Sequence, residues 1–317
     1  MKMLKPSSLR WTGPSMDERR GGPSRLVLGT AQLGMPYGIA NRKGKPDAAM
    51  AESIVRTAWE CGISRFDTAQ AYGDSEAVLG RAFRSLGIVD EVRVITKLDP
   101  RKPCEDEQAL RRSVEGSLKR LGVPVLHGLL LHREEMLDTM EGVSSGSLKG
   151  LLQDGLVRRL GVSVYSPERA WQALGLNAMD IIQIPASILD RRFQKAGVFK
   201  AADDLGRQIY IRSAFLQGLV LVDADHVPAG MDAVKPVLER LETISRRYRL
   251  SRQAMALLYL RDAHSGASVI FGAEEPEQVR QNFRCWQEET PAGFLEEVAE
   301  AFPGLDEAVL NPSKWKH

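Results

Sequence analysis

Eight short apolar runs recur along the chain, and segments with the spacing of amphipathic helices separate them. The runs are rich in Val, Ile and Leu and lack the alternation of apolar and polar residues that a half-exposed strand shows. They therefore predict strands that are buried on both faces. The predicted strands are residues 26–28, 63–66, 92–96, 128–131, 160–163, 181–184, 209–212 and 268–271.

The segments between these runs predict the connections of a parallel sheet. Leu110, Val114, Leu118 and Leu121, for example, fall on one face of a helix. Eight successive βα units with right-handed crossovers predict closure into a (β/α)8 TIM barrel of the α/β class. An open doubly wound sheet is the alternative, but its usual GxGxxG turn does not match GTAQLG at residues 29–34. The barrel is therefore favoured.

Three segments depart from a regular repeat of βα units. Residues 1–24 carry charges, prolines and glycines but no apolar stretch, which predicts a flexible leader and not a secretory signal. Residues 216–230 form a long loop after the seventh strand, and such loops on a barrel rim are usually functional. Residues 291–302 predict an extra C-terminal helix. We expect residues 25–317 to form a single barrel domain.

The charge balance and the cysteines exclude several classes of protein. Lys and Arg total 43 against 41 for Asp and Glu, so nothing suggests nucleic acid or a membrane surface as a partner. Cys61, Cys104 and Cys285 are odd in number and far apart, which fits neither a disulfide framework nor a CxxC metal site. No apolar run reaches the ~18 residues of a membrane span. We expect a cytoplasmic protein.

The second, third and fourth predicted strands each end in a titratable residue. Asp67 ends the second strand, and Tyr72 lies in the turn that follows it. Lys97 and His132 end the next two strands. Taken singly, each residue has an ordinary structural explanation in a turn, a solvated surface or the core. Because the strand ends of a barrel converge on one axis, we expect the four to share one site.

An aspartate, a tyrosine, a lysine and a histidine together suit proton transfer to a carbonyl oxygen. An unperturbed phenol titrates near ~10, so it is a poor acid at neutral pH. A neighbouring ammonium stabilises the phenolate and makes the proton easier to release. A buried carboxylate would keep that ammonium charged and oriented, and the imidazole would hydrogen-bond the substrate oxygen.

The motifs around these residues resemble those of the aldo-keto reductase superfamily, from about residue 26 to residue 282. They are FDTAQAYGDSE, VITK and LLLH, with LGTAQLG, GVSVYSPE, IIQIPASILDRR and FGAEEPEQVRQN elsewhere. The resemblance implies an NAD(P)H-dependent reductase of aldehydes or ketones that needs no metal. It makes Tyr72 the general acid, with Lys97 tuning its acidity. Asp67 would then anchor Lys97, and His132 would orient the carbonyl.

The same resemblance implies where NADP(H) or NAD(H) binds. Ser163 and Gln183 match residues that hydrogen-bond the nicotinamide carboxamide, and Gly218 matches the loop that folds over the pyrophosphate. The other expected cofactor contacts are Arg212, Gly272, Glu274, Gln278, Gln281 and Asn282.

Two positions depart from the family pattern. Val164 stands where an asparagine usually supplies a second amide partner for the carboxamide, and Arg212 stands where a tyrosine usually stacks on the nicotinamide. A guanidinium can also stack on a ring, where its charge would assist an anionic substrate or balance the pyrophosphate. Alternatively, Arg212 forms a structural ion pair with Asp190 or Glu168.

The choice between the two dinucleotides depends on the segment after the last strand. Glu274 and Glu275 would repel the 2′-phosphate of NADP(H) by about 1 kcal/mol per charge pair at ~4 Å even in water. They could instead accept hydrogen bonds from the ribose of NAD(H). The sequence therefore leans to NAD(H) or dual use. Alternatively, both glutamates only suit a helix N-terminus, and Arg280 holds the phosphate.

The substrate is indicated only by the polarity of the rim loops. Aromatic residues make up 6% of the chain, so a sugar or another polar carbonyl compound is more plausible than a large apolar one. The candidate loops are residues 35–45, 99–105, 133–134 and 187–192, with Tyr37, Asn41, Arg133, Asp190 and Arg191 as candidate contacts.

Two other functions compete with a reductase. One is a regulatory protein that keeps the fold and binds the nicotinamide cofactor without turnover, which the presence of all four catalytic residue types disfavours. The other is a metal-dependent barrel enzyme, which needs clustered histidine and carboxylate ligands. The chain has five histidines, spread along its length, so we expect no metal site.

Overall fold

The computed structural model describes residues 24–38, 44–101, 106–139, 143–227 and 231–310. Eight parallel strands are hydrogen-bonded in sequence order, and β8 pairs with β1 to close a barrel. This confirms the predicted fold class over an open sheet. The strands are β1 Leu26–Gly29, β2 Arg65–Asp67, β3 Arg93–Lys97, β4 Gly128–Leu131, β5 Leu160–Ser163, β6 Ile181–Pro185, β7 Gln208–Arg212 and β8 Ser268–Gly272.

Helices follow the strands and cover the outside of the barrel. The α-helices are α1 Ala31–Gly34, α2 Ala48–Glu60, α3 Ser75–Leu86, α4 Glu107–Leu121, α5 Val143–Gln153, α6 Pro167–Leu174, α7 Arg192–Lys195, α8 Val198–Asp204, α9 Lys235–Tyr248, α10 Arg252–Ala263, α11 Pro276–Gln287, α12 Phe294–Ala301 and α13 Glu307–Leu310. In the described residues, 3₁₀ segments occur at Glu134–Thr139, Leu216–Leu221, Ala224–His226 and Asp232–Val234.

The strands are apolar on both faces because each face meets a different apolar layer. A large cluster fills the space between strands and helices. A second, small cluster fills the barrel interior, so most strand residues are buried whichever way their side chains point. The interior residues are Val27, Ile95, Leu130, Ile181, Tyr210 and Ile270.

Local signals at the helix ends explain where the chain turns. The Asp47 side chain accepts a hydrogen bond from the Met50 amide at the start of α2, and Asp106 does the same at α4. Gly87 and Gly122 end α3 and α4 with left-handed φ values of 69° and 72°. Such caps fix the length of each helix, and hence the point at which the next strand enters the barrel.

Two glycines bring the loop after β1 against the turn after β2. A Cβ on Gly34 would lie 1.8 Å from the Tyr72 carbonyl oxygen, and one on Gly73 would lie 2.3 Å from the Gly34 carbonyl oxygen. No side chain fits at either position without movement of the backbone. This contact fixes the turn that carries Tyr72 against the first strand.

The expected additions to the barrel are present in the described residues. The segment after β7 forms the 3₁₀ segments Leu216–Leu221 and Ala224–His226, and the extra C-terminal helix is α12. Three positions within this segment or just before it, Ser213, Leu216 and Gln217, have positive φ without being glycine. Left-handed backbone at such residues costs energy and often occurs at functional sites.

Several expectations concern residues outside the described ranges. They are residues 1–23 of the expected leader, Asn41, residues 102–105 with Cys104, and residues 228–230. Cys61 and Cys285 are both free and buried. Across the described ranges, no helix combines the length and the apolar character needed for a membrane crossing.

Candidate active site

A buried ion pair joins the ends of β2 and β3. The Lys97 ammonium donates to the Asp67 carboxylate at 2.7 Å and to the Thr68 carbonyl at 3.0 Å. Lys97 is 1% exposed and Asp67 is 4% exposed. Burial alone would lower the pKa of Lys97, but the charge and hydrogen bond of Asp67, with a smaller contribution from Tyr72, outweigh it and raise the pKa. Lys97 is therefore charged at neutral pH.

Tyr72 and His132 lie over this ion pair. The Lys97 nitrogen is 5.0 Å from the centroid of the Tyr72 ring, and the His132 ring meets the Tyr72 ring edge-on at 5.6 Å. Ser75 secures the turn, because its hydroxyl donates to the Thr30 carbonyl and accepts from Thr68. The structure thus brings together all four residues that the sequence singles out for proton transfer.

His132 is neutral at physiological pH. Burial and the charges of Lys97, Arg133 and Arg212 lower its pKa to about 4. Its Nδ1 atom is buried and makes no hydrogen bond to the described residues. A neutral imidazole between cations can donate one hydrogen bond to a substrate oxygen without adding a further charge.

Gln183 adds a third partner to the ion pair. Its side-chain nitrogen donates to Asp67 Oδ1 at 2.7 Å, while Lys97 occupies Oδ2. Gln183 is 1% exposed and sits on β6, across the barrel from β2. The two carboxylate oxygens are therefore both occupied, which holds Asp67 in one orientation below the rim.

Arg212, at the end of β7, contacts the end of β5. Its guanidinium donates to the Ser163 hydroxyl at 3.3 Å and to the Val164 carbonyl at 3.1 Å, and lies 4.0 Å from the centroid of the Tyr165 ring. The ion pair with Asp190 that we considered is not formed, because Asp190 pairs with Arg192 at 2.8 Å. These contacts hold the Arg212 guanidinium over the ends of β5 and β7.

A cavity of about 320 Å³ extends between the ends of β2 and β8 and the first turns of α11. Asp67 and Tyr72 line one end of it. Of the nine residues expected to contact the cofactor, every one except Ser163 lines this cavity, and Ser163 contacts Arg212 at its edge. The lining members of that set are Gln183, Arg212, Gly218, Gly272, Glu274, Gln278, Gln281 and Asn282.

The cavity suits an extended ligand, and its end beside α11, away from Tyr72, is lined by polar side chains. At that end the Gln278 side chain accepts from the Glu274 amide at 2.7 Å, and the Asn282 side chain accepts from Gln253 at 2.7 Å. Arg280 donates to Glu277 and lies near the Thr57 hydroxyl, both at 3.5 Å. The residues present therefore fit a dinucleotide. Glutamate and amide side chains line the end of the cavity beside α11.

The expected substrate contacts divide into two groups. Tyr37 lines the cavity, and Arg133 is near enough to lower the pKa of His132. Asp190 and Arg191 do not belong to the site, which corrects the expectation. Asp190 is 2% exposed beneath Arg192, and the Arg191 guanidinium donates to the Ala299 carbonyl in α12.

The structure adds lining residues that the sequence patterns do not single out. Gln32, Phe215, Gln217 and Gln253 all face the cavity. Gln32 packs closely against Gly272. A Cβ on Gly272 would lie 2.1 Å from the side-chain nitrogen of Gln32. Of these four, only Gln217 could have been found from the sequence, because it lies in the long loop after the seventh strand that was expected to be functional. Within the described ranges, no group of three or more histidine, cysteine or carboxylate side chains is arranged to hold a metal.

Curated proteins with similar sequences carry reductase and dehydrogenase names. The NADH-specific methylglyoxal reductase of Escherichia coli K12 is 27% identical over 314 residues, which covers 88% of this chain and 95% of that protein. The D-threo-aldose 1-dehydrogenase of a Pseudomonas species is 28% identical over 323 residues, which covers 88% of this chain and 97% of that protein.

Solved structures share the fold. The holo form of an aldo-keto reductase from Bacillus halodurans has a TM-score of 0.73 at 22% identity and covers 92% of this chain and 95% of that one. A glycerol dehydrogenase from Gluconobacter oxydans has a TM-score of 0.71 at 24% identity and covers 91% and 93%. The profile of the Aldo/keto reductase family matches residues 25–302. This chain belongs to the aldo/keto reductase family.

Proposed function

We propose that the protein reduces a polar aldehyde or ketone to an alcohol, with Tyr72 as the general acid. The cofactor of the family, NADH or NADPH, supplies the hydride when it is bound. The observation that carries the proposal is the position of the Lys97 ammonium, 2.7 Å from Asp67 and 5.0 Å from the Tyr72 ring. A charged lysine with no solvent contact beside a phenol favours release of the phenolic proton.

The remaining residues position the reacting carbonyl. Tyr72 delivers its proton to the carbonyl oxygen as negative charge develops there, and Lys97 stabilises the phenolate that remains. Neutral His132 donates a hydrogen bond to the same oxygen and orients it. Asp67, fixed by Gln183, keeps Lys97 charged and in place.

The cavity lining supports NAD(H) use and a small polar substrate. Glu274 lines the cavity, while Arg280 pairs with Glu277 and is not among the lining residues, so the charge that α11 and the turn before it present to the cavity is unfavourable for a 2′-phosphate. Two relatives are named for methylglyoxal and for a D-threo-aldose, and the first is named as NADH-specific. Dissociation constants for NADH and NADPH test this preference, and a strong preference for NADPH would contradict it.

Replacing Tyr72 by Phe tests the proposed reaction. We expect carbonyl reduction to fall by about 10²-fold or more, because the phenolic proton is the only group removed. Cofactor binding should be nearly unchanged. Turnover is measured with a panel of aldehydes and ketones and both reduced cofactors.

A matched control separates this effect from a general loss of stability. Tyr248→Phe removes the same hydroxyl from the end of α9, where the ring packs against Phe294. It should keep full activity. Undiminished turnover in Tyr72→Phe would exclude the proposed acid, and cofactor binding without turnover on any carbonyl in the wild type would favour the regulatory alternative.

A further inference from the structure

The amino ends of the barrel strands carry a polar cluster that the proposed reaction does not use. Arg65 is the first residue of β2, and Ser268 is the first residue of β8. His127 and Arg159 directly precede β4 and β5, and Tyr210 projects into the barrel from β7. We refer to these five residues as the amino-end mouth. It lies at the end of the barrel opposite to the candidate active site.

Contacts across the mouth show that these side chains converge. The Arg65 guanidinium donates to the Ser268 hydroxyl at 2.8 Å, across the intervening strand β1. An Arg159 nitrogen lies 3.5 Å from His127 Nε2. Burial and four guanidinium charges lower the pKa of His127 to about 4; the arginines are Arg159, Arg93, Arg65 and Arg158.

These positive charges are not balanced by the surrounding protein. In the parts of the chain that the structure describes, none of these four arginines has a carboxylate within ion-pair distance. By contrast, Arg207, at the start of β7, pairs with Asp180 at 3.0 Å. Among the described residues, the fold therefore neutralises one arginine at this end of the barrel and gives the group around His127 no carboxylate partner.

Two hydrogen-bond donors in the mouth are also unsatisfied. The Arg65 Nε atom and the Tyr210 hydroxyl are buried, and neither makes a hydrogen bond to the described residues. Tyr210 is 1% exposed, so bulk water does not reach it freely. Buried donors without partners are rare in native proteins, and each one needs an explanation such as an unseen ligand.

We propose that the amino-end mouth binds an oxyanion between Arg65 and Arg159. Guanidinium groups present several N–H donors in a planar fork that matches the oxygens of a phosphate or a carboxylate. The Tyr210 hydroxyl supplies a further donor from inside the barrel. One small anion would compensate the positive charge and satisfy the buried donors together.

Free phosphate and the phosphate group of a small metabolite present the same oxyanion chemistry to these donors. Inorganic phosphate is therefore a suitable probe of the site.

Calorimetric titration of the full-length protein with sodium phosphate tests the proposal. Ionic strength is held constant with chloride, and the titration is repeated with saturating NADH or NADPH, which occupies the candidate cofactor cavity. We expect saturable binding of about one phosphate that persists with cofactor bound. Arg65→Gln and, separately, Arg159→Gln should each weaken it about tenfold or more, because each removes a charge-assisted hydrogen bond.

A control variant completes the test. Arg112→Gln, on the exposed side of α4, removes an arginine away from the mouth and should leave phosphate affinity unchanged.

Absence of saturable phosphate binding to the wild type would overturn the proposal. Phosphate binding that Arg65→Gln and Arg159→Gln leave unchanged, or that cofactor abolishes, would equally place the anion elsewhere.

Discussion

Replacing Lys97 by Met should damage stability and activity for different reasons. Lys97 and Asp67 are 1% and 4% exposed, and their charged atoms are 2.7 Å apart. Methionine leaves the Asp67 carboxylate buried with only the Gln183 amide as partner. Removing one member of a buried ion pair costs about 3–5 kcal/mol. For a chain of this length that corresponds to a melting temperature lower by roughly 5–7 °C.

A second variant separates the two effects. Asp67→Asn combined with Lys97→Met removes both charges and keeps an amide that can pair with Gln183. We expect it to recover at least about half of the lost stability, because no uncompensated charge remains in the interior. Carbonyl reduction should stay at least about 10²-fold below the wild type in both variants, because neither has an ammonium beside Tyr72.

Differential scanning fluorimetry and single-turnover reduction measure these two quantities on the same preparations. If the Lys97→Met protein melts within about 1 °C of the wild type, loss of the ammonium does not destabilise the fold as the breaking of a buried ion pair should. Recovery of activity in the double variant would mean that Lys97 has no part in proton transfer. Either result would refute the reasoning about this pair.

Three further predictions concern pH, packing and the long loop. Burial lowers the pKa of His264 from 6.5 to about 4, so the unfolded state takes up the proton first as the pH falls. His264 should therefore contribute a loss of stability between pH 6.5 and 4 that reaches about 2 kcal/mol at pH 5, and the pH-dependent loss should be smaller by about that amount in His264→Asn. Gly34→Ala should lower both the melting temperature and kcat, because the new Cβ would lie 1.8 Å from the Tyr72 carbonyl oxygen. The control Gly146→Ala should lower neither, because a Cβ at Gly146 has no neighbour within 4 Å. Cofactor should protect the loop after β7 from proteolysis, because Gly218 and Gln217 line the cavity; equal cleavage with and without dinucleotide would contradict this.

The barrel and the cluster of Asp67, Tyr72, Lys97 and His132 follow closely from the sequence. Fully apolar strand patterns occur where both faces are buried, and Ile95 and Val94 indeed lie in the interior and outer clusters respectively. Asp67, Lys97 and His132 end consecutive strands, so a parallel barrel brings them to one rim whatever the details of packing. The local apolar pattern and the parallel strand order are enough to predict these positions, because they depend on the course of the backbone and not on side-chain pairing.

Side-chain partners could not be predicted in the same way. Asp190 and Arg191 are polar and lie in a rim loop, which made them plausible substrate contacts. In the structure Arg192 neutralises Asp190, and Arg191 reaches the Ala299 carbonyl on the C-terminal helix. Which of several nearby arginines pairs with a given carboxylate depends on distances of a few ångströms between distant segments, and no local pattern contains them.

The sequence by itself determined the number of strands, the parallel order and the residues that reach the rim, because hydrophobic periodicity and chain direction are local properties. Only the tertiary structure decided how the polar groups are paired. It directs Gln183 to Asp67, places Arg212 against Tyr165, and leaves Arg65 at the opposite mouth without a carboxylate in the described residues. Pairing depends on the positions of groups far apart in the chain, and those positions are set only when the barrel closes.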